Sequence, residues 1–109
     1  MARIKFIGLD ELLGMQANND DFRLVEVLAP REYKKGHIPG AINMPVDDIE
    51  KEAAQELKKS EKIVVYCASY SCPASTNATK ILQKMGYRNV LDFKGSKKAW
   101  QDAGLELEK

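Results

Sequence analysis

Several materials from which proteins build sites and scaffolds are scarce in this sequence. Its 109 residues include two cysteines, one histidine and one tryptophan. A disulfide framework spreads its cysteines to staple distant parts of a chain. Here Cys67 and Cys72 lie in one short segment, which points to chemistry more than to architecture. A closed zinc site needs four ligands, and His37 is the only histidine. No metal is expected, and no other cofactor. An excess of either charge is also missing: 17 basic residues face 16 acidic ones, for a net charge of +1. That balance gives no ground for nucleic acid or an anionic membrane as partner. Apolar runs such as Ile63–Val65 are far too short to cross a bilayer. Lys5, Asp10 and Glu11 interrupt any signal-peptide core at the start, so the default expectation is a cytoplasmic location. Repeats, low-complexity tracts and linkers are absent. The length suits one ordinary domain, expected to span residues 1–109.

What the sequence does contain is an alternation of short apolar runs and longer amphipathic ones. Strands are predicted at Lys5–Ile7, Leu24–Val27, Ala41–Met44, Ile63–Tyr66 and Val90–Phe93. Helices are predicted at Leu9–Gln16, Pro30–Lys35, Val46–Lys59, Pro73–Met85 and Lys97–Ala103. Pro30 suits a first helical turn, and Gly36, Gly86 and Gly104 suit helix ends. The fourth strand is apolar throughout, as expected when both faces of a sheet are covered. Strands separated by helices imply an α/β fold, a parallel sheet with helices on both faces. Such sheets bind ligands at the carboxyl ends of their strands. The turns after Val27, Met44, Tyr66 and Phe93 are therefore the places to look.

The turn after Tyr66 holds both cysteines, in the order Cys67-Ala68-Ser69-Tyr70-Ser71-Cys72, with Pro73 opening a helix. Between Lys62 and Lys80 no residue carries a formal charge. Backbone N–H groups in a strand-loop-helix turn can converge into an anion-binding nest. The amino end of the helix adds about half a positive charge. A thiolate placed there is stabilised, and the thiolate is the reactive form of cysteine. An activated nucleophile thus needs no histidine base. The bland reading is a cysteine that serves as a small buried hydrophobe at a strand end. Cys72 is either a resolving thiol or a residue that packs beneath the loop. Tyr70 either walls the pocket or is an exposed loop aromatic.

Three stretches together resemble the rhodanese-like family of sulfurtransferases. The first is Leu24-Val25-Glu26-Val27, with Glu32-Tyr33 and Gly36-His37-Ile38-Pro39-Gly40-Ala41-Ile42-Asn43-Met44-Pro45. The second is Val64-Val65-Tyr66-Cys67, the strand that carries the family's catalytic cysteine. The third is Gly86-Tyr87, Asn89-Val90, Gly95, Trp100 and Ala103-Gly104-Leu105. The similarity runs from about residue 9 to 107. It implies a five-stranded parallel sheet and a catalytic Cys67 that accepts a sulfane sulfur as a persulfide. The substrate-binding loop would comprise Ala68, Ser69, Tyr70, Ser71 and Cys72, its N–H groups holding the terminal sulfur. The implied partners are a small sulfur donor and a thiol or cyanide acceptor, with a protein persulfide as a further candidate.

The sequence departs from the family pattern in three ways. The common Asp-Val-Arg is here Glu26-Val27-Leu28. The loop lacks the usual cation and glycine, and Cys72 stands where an arginine often closes it. An anionic donor such as thiosulfate would find no fixed cation in this loop. Polysulfide or a persulfide carrier is the expected donor. Phosphatases and arsenate reductases on the same fold need an arginine where Pro73 stands, which argues against them. A thiol redox switch using Cys67 and Cys72, or a non-catalytic binding module, are the alternatives. His37, between glycines and a proline, reads as structural. Glu26 reads as a residue that orients a loop, and Trp100 as core or pocket rim. Lys34-Lys35 and Lys97-Lys98 read as solvated faces.

Overall fold

The computed structural model describes residues 3–109. Strands and helices alternate along it. They are β1 (Lys5–Ile7), α1 (Leu9–Ala17), β2 (Arg23–Glu26), α2 (Pro30–Lys35), β3 (Ile42–Asn43), α3 (Ile49–Glu56), β4 (Ile63–Tyr66), α4 (Ala74–Lys84), β5 (Val90–Phe93) and α5 (Ser96–Asp102). The strands form one sheet in the order β1-β5-β4-β2-β3. Every pairing in it is parallel. Val65 of β4 stands opposite Val25 of β2 on one side and Asp92 of β5 on the other.

The central strand explains the layering. Ile63, Val64, Val65 and Tyr66 have no exposed surface. Successive strand side chains point to opposite faces, so β4 supplies both halves of the core. Ile63, Val65 and Cys67 pack with Val25, Ile49, Ala53, Ala78 and Leu82, on the α3 and α4 side. Val64 and Tyr66 pack with Leu12, Ile38, Leu91, Phe93 and Trp100, on the α1 and α5 side. Cys67, one residue past β4, therefore faces α3 and α4.

Several element ends differ by one residue from the sequence expectation, and three differences have a structural reason. The helix predicted over Val46–Lys59 is a 3-10 turn, Val46–Asp48, followed by α3, which ends at Glu56. Leu57 is extended and buried. The buried Tyr87 hydroxyl lies 2.8 Å from the Ala53 carbonyl and 2.9 Å from that of Leu57. It thereby adds a side-chain donor at the Leu57 carbonyl, just past the helix end, and a second donor at that of Ala53, which also accepts the Leu57 N–H at 2.8 Å. The strand predicted over Ala41–Met44 is only Ile42–Asn43. There the Asn43 amide donates sideways to the carbonyls of Glu26, at 3.1 Å, and Leu28, at 2.8 Å. Pro73, expected as the first helical residue, is the N-cap of α4, and its carbonyl accepts the Asn77 N–H at 3.0 Å. At the other end Gly86 turns the chain with φ +101°, a conformation that suits glycine. Thr76, in the first turn of α4, donates to buried Asp92 of β5 at 2.8 Å, which fixes the helix start against the sheet.

Candidate active site

The segment from Cys67 to Pro73 leaves the carboxyl end of β4 and turns onto the amino end of α4. Cys72 N–H donates to Ser69 O at 3.0 Å, closing the turn. No carbonyl or side chain among the described residues accepts from the amides of Ser69, Tyr70 and Ser71. Within the protein these donors are uncommitted. The two serine hydroxyls lie 3.1 Å apart, and Tyr70 is 74% exposed.

The cysteines occupy different environments. Cys67 is fully buried. Its thiol donates to Cys72 O at 3.4 Å and lies 4.0 Å from Ser69 O. Cys72 is half-buried. Burial alone would push its thiol up, but the N–H groups of Ala74 and Ala68, the Cys67 thiol and the Lys94 ammonium outweigh it. The net effect holds the Cys72 thiol below the usual range. Neither cysteine is in a disulfide.

The turn between β5 and α5 grips the loop from the side. Ser96 Oγ accepts the Cys67 N–H at 2.9 Å and donates to Phe93 O at 3.0 Å. Lys97 N–H donates to Cys67 O at 3.2 Å, and Lys98 N–H to Ala68 O at 3.0 Å. Lys94 Nζ donates to Cys72 O at 2.7 Å and sits 5.6 Å above the Tyr70 ring. The loop has no cation of its own, as expected, but Lys94 brings one to its edge. The rule of carboxyl-end turns pointed to the turn after Phe93 without identifying Lys94 or Ser96 in it.

A buried network braces this arrangement from the opposite face. Tyr66 hydroxyl donates to Glu26 Oε1 at 2.8 Å and accepts the Ile38 N–H at 3.0 Å. Lys97 Nζ lies 3.1 Å from Glu26 Oε2 and donates to Glu32 O at 2.9 Å. The expectation that Lys97 is solvated is therefore corrected: its side chain is only 12% exposed, paired to a carboxylate with no exposure at all. Lys98 and Lys35 do face solvent, beside Asp102 and Glu32. Burial pushes the Glu26 carboxyl up, against the pull of Tyr66 and Lys97. Burial and the Glu26 charge together raise the Tyr66 hydroxyl far above its usual range.

His37 belongs to this bracing and not to the loop. Its ring stacks on Tyr33 at 3.8 Å, and its Nδ1–H donates to Tyr33 O at 3.0 Å. Its backbone exchanges two hydrogen bonds with Glu108, tying down the chain end. Trp100 is core, its indole N–H donating to Glu106 O at 2.9 Å. Among the described residues no cluster of three metal-ligating side chains occurs, and no helix is long and apolar enough to cross a membrane. Pro73 offers an oxyanion neither charge nor N–H.

Comparison with known proteins bears on the family and the fold. The family model of the Rhodanese-like domain matches residues 9–103. A sulfurtransferase of Allochromatium vinosum is 33% identical over 101 residues, covering 93% of this chain and 92% of that protein. An HTH-type transcriptional regulator of Mycobacterium tuberculosis is 36% identical over 85 residues, 78% of this chain. The chain spans only 37% of that regulator's length. The solution structure of a rhodanese-like domain from Anabaena superposes with a TM-score of 0.86 at 28% identity, covering 98% of this chain and 80% of that one.

Proposed function

The chain belongs to the rhodanese-like domain family, and on that premise we propose that residues 1–109 act as a single-domain sulfurtransferase with Cys67 as the nucleophile. The observation that carries this reading is the loop of Ala68, Ser69, Tyr70, Ser71 and Cys72. It encloses the Cys67 sulfur at the carboxyl end of the central strand, with three amides unclaimed. Cys67 thiolate attacks the outer sulfur of a persulfide or polysulfide anion. The S–S bond of the donor breaks, its remaining sulfur leaves as thiolate or sulfide, and Cys67 becomes a persulfide. An acceptor thiolate then takes the terminal sulfur and regenerates Cys67 thiolate; cyanide as acceptor leaves as thiocyanate. The free loop amides hold the negative terminal sulfur, an arrangement worth more in a dry site than in water. Polysulfide or a persulfide carrier, small or protein-borne, is the preferred donor, because Lys94, the cation at the loop edge, is already bound to Cys72 O. The reducing cytoplasm, which keeps both cysteines as thiols, is the setting.

The placement of the Cys67 thiol against Cys72, 3.4 Å from its carbonyl oxygen, favours a second outcome at the same site. Cys72 thiolate attacks the Cys67 sulfur of the persulfide, expels hydrosulfide and leaves a Cys67–Cys72 disulfide. The dithiol loses two electrons and the sulfane sulfur gains them.

Intact mass after incubation with polysulfide, and separately with thiosulfate, tests both. A gain of one sulfur, about 32 Da and reversed by thiol, that requires Cys67 is the expected result. A larger yield from polysulfide than from thiosulfate supports the donor assignment. A loss of two hydrogens instead identifies the disulfide route. No change with either donor, or the same gain in Cys67→Ala, refutes Cys67 catalysis and leaves a binding module.

A further inference from the structure

We propose that Ser96 is a positioning residue for Cys67, its hydroxyl fixing the cysteine backbone and donating a hydrogen bond to the sulfur when that sulfur is anionic. The proposal deepens the reading of Cys67 as nucleophile and rests on it.

Ser96 is fully buried and holds φ +60°, the left-handed region that glycine occupies without strain and serine does not. Strain of this kind persists only where the surroundings impose it, and it gathers at functional sites. Here it aims Oγ at Cys67. The oxygen accepts the Cys67 N–H at 2.9 Å, donates to Phe93 O at 3.0 Å and lies 3.8 Å from Cys67 Sγ. A hydroxyl has one proton and two lone pairs. With Cys67 as a thiol, that proton goes to Phe93 O. With Cys67 as a thiolate, rotation about the C–O bond brings it to the sulfur, while the bond from Cys67 N–H is kept. A charge-assisted bond of this kind is stronger than the neutral one it replaces.

The neighbouring amides make the placement stiff. Lys97 N–H and Lys98 N–H hold the carbonyls of Cys67 and Ala68. A side chain on Gly95 would lie 2.7 Å from Ala99 Cβ, so the turn is packed down on α5. The other titratable groups near the sulfur come from three elements. Cys72 comes from the loop, Lys94 from the β5–α5 turn, and Asp92 from β5 on the same sheet face, bonded to Thr76 of α4. None of the three reaches the Cys67 N–H, which is Ser96's alone.

The test uses the full chain with Cys72→Ser, so that one thiol remains, and compares it with added Ser96→Ala or Ser96→Gly. Ultraviolet thiolate absorbance across pH gives the Cys67 midpoint, and thermal melting gives stability. The midpoint is expected to rise by about one pH unit in both variants, a roughly tenfold loss of thiolate at a fixed pH below it. Ser96→Gly relieves the backbone strain, so it is expected to stay folded. Its raised midpoint then cannot be ascribed to misfolding. An unmoved midpoint in folded Ser96→Gly overturns the proposal and leaves Ser96 a backbone turn only. Polysulfide mass labelling of the wild-type chain runs alongside. Its failure would sink the sulfurtransferase reading while leaving the thiolate measurement to decide the role of Ser96.

Discussion

Replacing Lys97 by methionine isolates the buried pair that braces the site. Glu26 has no exposed surface, and the Lys97 side chain retains 12%. Removing one partner of a buried pair typically costs about 3–5 kcal/mol, because the other charge is left without compensation. Methionine keeps most of the apolar stem, so lost packing is a small part of the cost. The Tyr66 hydroxyl still donates to Glu26, which favours the lower end, about 3 kcal/mol at pH 8. For a domain near this size that lowers Tm by more than about 10 °C. The loss should depend on pH with a definite sign. Burial already holds the Glu26 carboxyl above its ordinary value in the folded state. A group raised on folding gives its stability at low pH and loses it as pH rises through the folded value. Without the ammonium the carboxyl rises further, and protonation removes the orphaned charge. Urea melts of Lys97→Met beside wild type should therefore show a deficit at pH 8 that shrinks markedly by pH 5. An equal deficit at both pH values, or a larger one at pH 5, would refute the view that an uncompensated carboxylate is the cause.

Three further outcomes follow from the site. In Cys67→Ser, alkylation of Cys72 should rise with pH through a midpoint below that of a free cysteine, since amides and Lys94 favour its thiolate; a midpoint at or above the free value would remove the nest from around Cys72. Lys94→Gln should raise that midpoint while changing KM for thiosulfate by less than about threefold, since the ammonium is committed to Cys72 O and a partly exposed contact is worth little; a KM raised about tenfold would mean that the ammonium holds the donor and would refute the donor assignment. Gly95→Ala should destabilise the fold by about 1–3 kcal/mol, the usual cost of overpacking, since its methyl would fall 2.7 Å from Ala99 Cβ; a Tm within 2 °C of wild type, read by calorimetry with a tolerance of about that size, would show that α5 yields freely.

Much of this architecture was legible because β4 and its loop speak locally. An uninterrupted apolar strand, an uncharged turn with two cysteines, and a helix after Pro73 are signals confined to a few neighbouring positions. The same holds for Pro30 at the start of α2 and for Gly86 after α4. Lys97 was illegible for the opposite reason. A Lys-Lys doublet reads as a solvated face, and only the sheet order, which places β4 between β2 and β5, brings it to Glu26. Ser96 left no trace either, since nothing in Gly95-Ser96-Lys97 announces a serine with positive φ. The ends of α3 and β3 were misjudged because distant partners decide them: Tyr87 bonds the Leu57 carbonyl just past α3, and the Asn43 side chain of β3 bonds the carbonyls of Glu26 and Leu28.

The distribution of polar groups around Cys67 also limits what the site can discriminate. Its loop presents amides and hydroxyls but no fixed charge, and on the proposed function those donors would recognise negative sulfur without dictating what the rest of the donor looks like. A charged side chain in the loop would fix one orientation of an oxyanion, as a bidentate guanidinium does. On the proposed mechanism, backbone N–H groups instead suit a large, soft sulfur whose position shifts between donor, persulfide and acceptor complexes. Rigidity then has to come from behind the cysteine. It is supplied there, by Ser96 on its N–H, by Lys97 on its carbonyl and by the Glu26–Tyr66–Lys97 network across the sheet. A substitution in the loop should consequently alter which donor is preferred, whereas one in the bracing should lower turnover with every donor alike.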